Sequence, residues 1–215
     1  MTGGNDIVLR LPDAELTADL HVPDGAAGLV LFAHGSGSSR HSTRNRWVAE
    51  ALRKAGLGTL LFDLLTRHED EVEDLRFDIP LLSERLAAAT RWAHAQAGLE
   101  TLPIGLFGAS TGAAAALNTA AVLPHLVKAV VSRGGRPDLA LAALPLVQSP
   151  TLLIVGGADG PVIDINRAAL HAIRCAKELA IVPAATHLFE EPGALEEVAR
   201  LAVDWFMQHL SHRPA

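Results

Sequence analysis

A strand that runs straight into Gly108-Ala109-Ser110-Thr111-Gly112 and out into the alanine-rich Ala113 to Ala116 leaves this chain few folds to choose from. The apolar Leu102 to Phe107 predicts a short buried strand bounded by Pro103 and Gly108, and the small residues after Gly112 predict a helix. Between them, the residues two before and two after Ser110 must come close together. Gly108 and Gly112 have no Cβ, so sterics permit that approach. The turn lifts the Ser110 hydroxyl clear of the sheet at a helix N-terminus, where free N–H groups favour developing negative charge. Glycine and serine are also ordinary turn residues, so the pentapeptide acquires meaning only from the rest of the chain.

The rest alternates. Strands are predicted at Ile7–Leu11, Glu15–Val22, Gly28–Ala33 and Leu57–Phe62, then beyond the serine turn at Val127–Ser132, Thr151–Val155 and Leu179–Val182. Helices are predicted at about Thr43–Ala55, Ile79–Ala97, Gly112–Leu123, Leu139–Leu144 (a short one), Ile163–Ala176 and Ala194–His209, with 63–78 a charged loop. Strands alternating with helices imply a mostly parallel sheet of about eight strands covered on both faces, and residues 1–215 read as one domain. Ligands in such sheets bind beyond the carboxyl ends of the strands. The informative loops are therefore 34–42, 63–78, 108–112, 133–137, 156–162 and 183–193.

Composition narrows the function classes. Hydrophobic residues at 49% and charged ones at 20% describe a globular chain with a sizeable core. The formal net charge of −6 gives no basic footprint for nucleic acid. No stretch is long and apolar enough for a bilayer, since Asn118, Pro124, His125 and Lys128 interrupt the richest one. Met1 to Leu20 lacks the basic-then-apolar order of a signal peptide. With Cys175 alone there is no intrachain disulfide, and a cytoplasmic setting is expected. Cys175 itself reads as a small buried hydrophobe.

Acyl transfer by a serine needs a base, an acid that orients the base, and donors for the oxyanion. Asp159 follows one strand after Ser110, and His187 follows the next, which is the order and placement this chemistry requires. Asp164 is a rival acid, placed inside the following helix. Of the ten histidines, only His187 falls in the loop after the last strand. His94, His171 and His209 sit on helices, and His212 is near the terminus. The oxyanion donors are expected to be the backbone N–H groups of Thr111 and, in His34-Gly35-Ser36-Gly37, of Ser36. His34 is expected to brace that loop. No lysine follows its glycines, so it is not a phosphate-binding P-loop. The acidic run at 68–71 reads as a solvated loop, and no His-Glu-x-x-His spacing occurs, so neither metal nor cofactor is expected.

Two arginine groups flank the same edge: Arg40, Arg44 and Arg46 after one strand, Arg133 and Arg136 after another. Arg44, Arg133 and Arg136 are candidates for holding an anionic substrate group. The plainer reading, and the one the sequence favours, is surface charge paired with nearby acids.

Taken together, these residues resemble the α/β-hydrolase superfamily, and within it the dienelactone hydrolase-like group, over nearly the whole chain from the strand before His34. The resemblance implies an α/β-hydrolase fold, here with no inserted cap between Ser132 and Thr151. It implies Ser110 as nucleophile, Asp159 as acid and His187 as base. Dienelactone hydrolases proper carry a cysteine where Ser110 stands. The stretch from His34 to Arg46 also resembles hydrolase domains that some relatives join to a phosphoribosyltransferase. The expected activity is cleavage of small soluble esters or thioesters through an acyl-enzyme. A non-catalytic binding protein on this fold and an acyltransferase using the same three residues are the alternatives.

Overall fold

The structure, a computed structural model, describes residues 5–211. Met1 to Gly4 and His212 lie outside them. Eight strands form one sheet: β1 (Asn5–Arg10), β2 (Glu15–His21), β3 (Leu29–Ala33), β4 (Gly58–Phe62), β5 (Ile104–Ala109), β6 (Val127–Arg133), β7 (Thr151–Gly156) and β8 (Lys177–Val182). Their order across the sheet is β1-β2-β4-β3-β5-β6-β7-β8. The first two strands pair antiparallel, β2 also against β4, and every pairing from β4 to β8 is parallel. The sheet is thus mostly parallel, as expected. β5, which carries the serine turn, is central, between β3 and β6.

The helices are α1 (Thr43–Lys54), α2 (Arg67–Asp70), α3 (Ile79–His94), α4 (Thr111–Val122), α5 (Gly160–Ala172) and α6 (Ala194–Leu210). Period-two alternation divides the buried strands between two cores. In β3, Leu29, Leu31 and Ala33 face one core with α3, α4 and α5, while Val30 and Phe32 face the other with α1 and α6. Both faces of a parallel sheet are thereby covered, which is why these strands read as unbroken apolar runs. α4 is the innermost helix, with Ala113 to Leu117 fully buried. Its small side chains let it settle close to the sheet.

Several expected bounds need correction. β5, expected at Leu102–Phe107, runs Ile104–Ala109, and α3 ends at His94, short of Ala97. The helix expected at Leu139–Leu144 is two 3₁₀ turns, Pro137–Ala140 and Leu144–Leu146, because Pro145 lacks the N–H that a continuous helix would need there. The loop at 63–78 contains α2, closed by a capping box between Thr66 and Glu69, and a 3₁₀ turn at Glu73–Phe77. α5 begins at Gly160, before the expected Ile163, with Pro161 in its first turn, where a missing N–H is harmless. It stops at Ala172, where Ile173 turns extended and tucks into the core. β8 starts at Lys177, two residues early. Residues 134–150 hold only the two 3₁₀ turns, so no cap covers the strand ends there. No helix among the described residues is long and apolar enough to cross a membrane.

Candidate active site

Ser110 occupies the corner between β5 and α4 with φ 51° and ψ −119°, a conformation L-residues adopt at a cost of about 1–3 kcal/mol. The strain persists because the surroundings over-determine it. The Ser110 N–H donates to Arg133 O at 3.2 Å, and its carbonyl accepts from both Ala113 and Arg136 N–H at 3.1 Å. The two glycines have the role the sequence assigns them. A Cβ on Gly112 would run into the carbonyl oxygens of Ala33 and His34, and one on Gly108 into the backbone of Gly112 and Ala113.

Asp159 caps β7's exit turn and stands at the N-cap of α5, yet its side chain caps nothing in the helix. It accepts instead from His187, with Oδ2 at 2.7 Å from Nδ1. Backbone bonds tie the two loops together: Gly157 N–H to Val182 O at 2.8 Å and Ala158 N–H to Ala185 O at 2.9 Å. Gly156 permits this, since a Cβ there would meet the Ala185 carbonyl. The His187 ring packs over Gly134, where a Cβ would lie 3.4 Å from Cε1. With Nδ1–H given to Asp159, Nε2 carries the free lone pair. Asp164 is exposed and pairs with Arg167 at 3.4 Å, away from His187.

Ser110 and His187 line one cavity of about 200 Å³, together with Gly35, Ser36, Ser38, Ser42, Arg44, Asn45, Ala109, Arg133 and Leu188. No hydrogen bond joins the Ser110 hydroxyl to His187 in this structure. Of the two backbone donors expected for an oxyanion, Thr111 N–H opens α4 and has no helical acceptor behind it. Ser36 N–H is different. It already donates to Thr111 Oγ1 at 2.9 Å, which gives the buried threonine hydroxyl a partner. The sequence offered no sign of that engagement.

His34 is buried and braces the loops on either side of it. Its Nδ1–H donates to Gly35 O at 3.0 Å, and Nε2 accepts from Leu64 N–H at 3.1 Å. Burial pushes its pKa below the ordinary histidine value.

The arginines divide. Arg40 pairs with Asp19 and Asp63, Arg46 with Asp19, and Arg136 with Asp138 at 2.7 Å, so Arg136 does not face the cavity. Arg44 pairs with Glu190 at 2.9 Å while lining the cavity. Arg133 departs from the surface reading altogether. It is 8% exposed and pairs with no acid. Residue type could not reveal this, because burial at the end of β6 is set by the loops that close over it. Ser42 and Asn45, which also line the cavity, escaped sequence reasoning. The Ser42 cap before an apolar-periodic helix was the available signal. Cys175 is half-buried, its thiol donating to Ser149 O at 3.1 Å.

Residues 22–210 match the profile of the dienelactone hydrolase family. The chain belongs to that family. A dienelactone hydrolase from Anabaena variabilis is 55% identical and superposes with a TM-score of 0.94, covering 96% of this chain and 98% of that one. Est1E from Butyrivibrio proteoclasticus, solved with ferulic acid, has a TM-score of 0.81 at 15% identity over 94% of this chain and 98% of its own, a likeness of fold alone. Two Mycobacterium tuberculosis proteins, from different strains, are each 58% identical over 191 residues and carry the provisional name of phosphoribosyl transferase. The match takes in 89% of this chain but 43% of theirs. This member of the dienelactone hydrolase family therefore has the α/β-hydrolase fold.

Proposed function

We propose that this chain is a serine hydrolase of small esters or thioesters. The observation that carries the reading is the 2.7 Å bond by which Asp159 holds His187, whose ring lines the same cavity as the strained Ser110. The Ser110 hydroxyl attacks the acyl carbon as its proton passes to His187 Nε2. The tetrahedral oxyanion forms beside the Thr111 N–H at the α4 terminus, where the helix dipole favours negative charge. Collapse expels the alcohol or thiol, which takes the proton from His187. Water then repeats the sequence on the acyl-enzyme. Asp159 holds the His187 tautomer and steadies the imidazolium.

The Ser36 N–H becomes a second oxyanion donor only when Thr111 Oγ1 lets it go. A carbonyl oxygen arriving in the cavity competes with the threonine hydroxyl for that amide. A cavity of about 200 Å³ favours short acyl chains. We assign the transferase name of the mycobacterial relatives to the part of their length beyond this match.

A fluorophosphonate probe should label wild-type protein on Ser110 and leave Ser110→Ala unlabelled. 4-Nitrophenyl acetate should show a burst followed by turnover. Folded protein with neither label nor burst would sink the reading in favour of a binding protein.

A further inference from the structure

We infer that the cavity of Ser110 and His187 contains an anion subsite, formed by Arg133, Arg44 and the N-terminus of α1, that takes a phosphoryl group carried by the substrate. The inference rests on the ester-cleaving reading and adds a substrate class to it.

Arg133 is the first observation. Its Nε and Nη1 are buried without a hydrogen-bond partner among the described residues, and the residue lines the cavity. Taking a charge out of water without a partner is expensive, and buried cations are ordinarily matched by an acid. Here the charge acting on Arg133 is another cation, Arg44, and neither Glu190 nor Asp159 neutralises it. The Phe189 ring, 5.8 Å from the guanidinium, offsets only a small part of that cost. Burial and Arg44 together lower its pKa to about 10, so it stays charged at neutral pH. The fold thus maintains a desolvated cation beside the nucleophile, a state that a bound anion would relieve.

The second observation comes from another element. α1 is 12 residues long, and its N-cap Ser42 and first-turn Arg44 and Asn45 line the same cavity. Ser42 satisfies the Asn45 N–H with its hydroxyl and the Arg46 N–H with its carbonyl. The amides of Thr43 and Arg44, at the first two positions of α1, have no intrahelical acceptor, as at helix termini that bind anions.

Charge decides between kinds of anion. Arg44 is shared with Glu190 and the Asp159 carboxylate is taken up by His187, which leaves the unpaired Arg133 guanidinium and the partial charge of a helix terminus, about half an elementary charge, as the local positive charge. Together they exceed the single charge of one carboxylate group. A phosphoryl group brings roughly −1.5 to −2 charges and three acceptor oxygens. Its oxygens diverge, as do donors arriving from β6 and from α1.

The test separates binding from turnover. Ser110→Ala protein is titrated at low salt with inorganic phosphate and, separately, with succinate, by calorimetry. Phosphate should bind at least about tenfold more tightly than succinate, and adding Arg133→Met should weaken it about ten- to a hundredfold, as loss of charge-assisted bonds does. Equal or tighter succinate binding overturns the phosphoryl assignment, and phosphate binding indifferent to Arg133→Met overturns the subsite. If Arg133→Met fails to fold, Arg44→Gln replaces it: phosphate binding must weaken severalfold, and unchanged binding overturns the inference. In active protein, the kcat/KM ratio of a phosphoryl-bearing aryl ester to its neutral counterpart should fall by the same factor in Arg133→Met. An unchanged ratio counts against the subsite. Phosphate binding without hydrolysis of either ester would preserve the subsite and remove the hydrolase reading. Hydrolysis without phosphate binding would do the reverse.

Discussion

At the residue scale, the decisive contrast is between two aspartates five positions apart. Asp159 reaches His187 Nδ1 at 2.7 Å, whereas Asp164 reaches only Arg167 on the solvent face of α5. An acid that fixes the tautomer and stabilises the imidazolium contributes without being the nucleophile. Asp159→Asn should therefore fold and lose about three to four orders of magnitude in kcat. Asp164→Asn should stay within a few-fold of wild type. Ester kinetics on both, with circular dichroism as the folding control, check this, and a crippled Asp164→Asn would mean that the orienting acid is misassigned. Both aspartates were legible in the sequence as candidates. Their separation was legible too, because a turn residue and a helix residue point differently, even though the helix begins three residues earlier than periodicity implied.

At the scale of elements, β3, β5 and α4 meet at the serine corner through backbone contact rather than side-chain packing. Gly112 is where this is tightest, since the first turn of α4 passes directly under the carbonyls of Ala33 and His34. Gly112→Ala should destabilise the protein by about 1–3 kcal/mol or more, the usual consequence of forcing extra volume into packed backbone. The control is Gly37→Ala, at φ 67° with open space around it, which carries only local backbone strain. Urea unfolding of both variants gives the comparison, and a Gly112→Ala midpoint no lower than that of Gly37→Ala would refute the close approach. The motif announced this junction because only glycine tolerates it. The segment at 137–146 announced less: its leucines and alanines carry helical propensity, and the interruption comes from Pro145 and from the need to close over α4 and α5.

For the molecule as a whole, His34 links the sheet edge that carries the candidate site to its stability. Its ring holds the loop after β3 against the amide of Leu64 after β4, and burial lowers its pKa. The unfolded chain therefore takes up this proton at a higher pH than the folded one. The sign follows: the contribution of His34 is intact above the ordinary histidine value of about 6.5 and is lost as pH falls below it toward the depressed native value. The thermal midpoint should drop between pH 7 and pH 5, and His34→Asn should drop less over the same interval. Equal drops in the two proteins would show that His34 does not carry this dependence.

The sequence by itself determined the layered α/β architecture, because apolar runs of strand length separated by helical periodicity have few other ways to bury both faces. It also pointed to Ser110, Asp159 and His187 as one candidate group, because each follows a strand's carboxyl end in the order proposed for acyl transfer, and the fold brings them together. What it did not hold is which polar groups end up satisfied. Ser36 N–H is engaged by Thr111 across 75 positions of chain, and Arg133 is sealed in without an acid while Arg136, three residues on, finds Asp138. Hydrogen-bond partners and burial depend on loops brought together from distant parts of the chain, so residue type and spacing are silent about them. That one arginine among these five lies beside Ser110 with no acid follows from the tertiary fold alone.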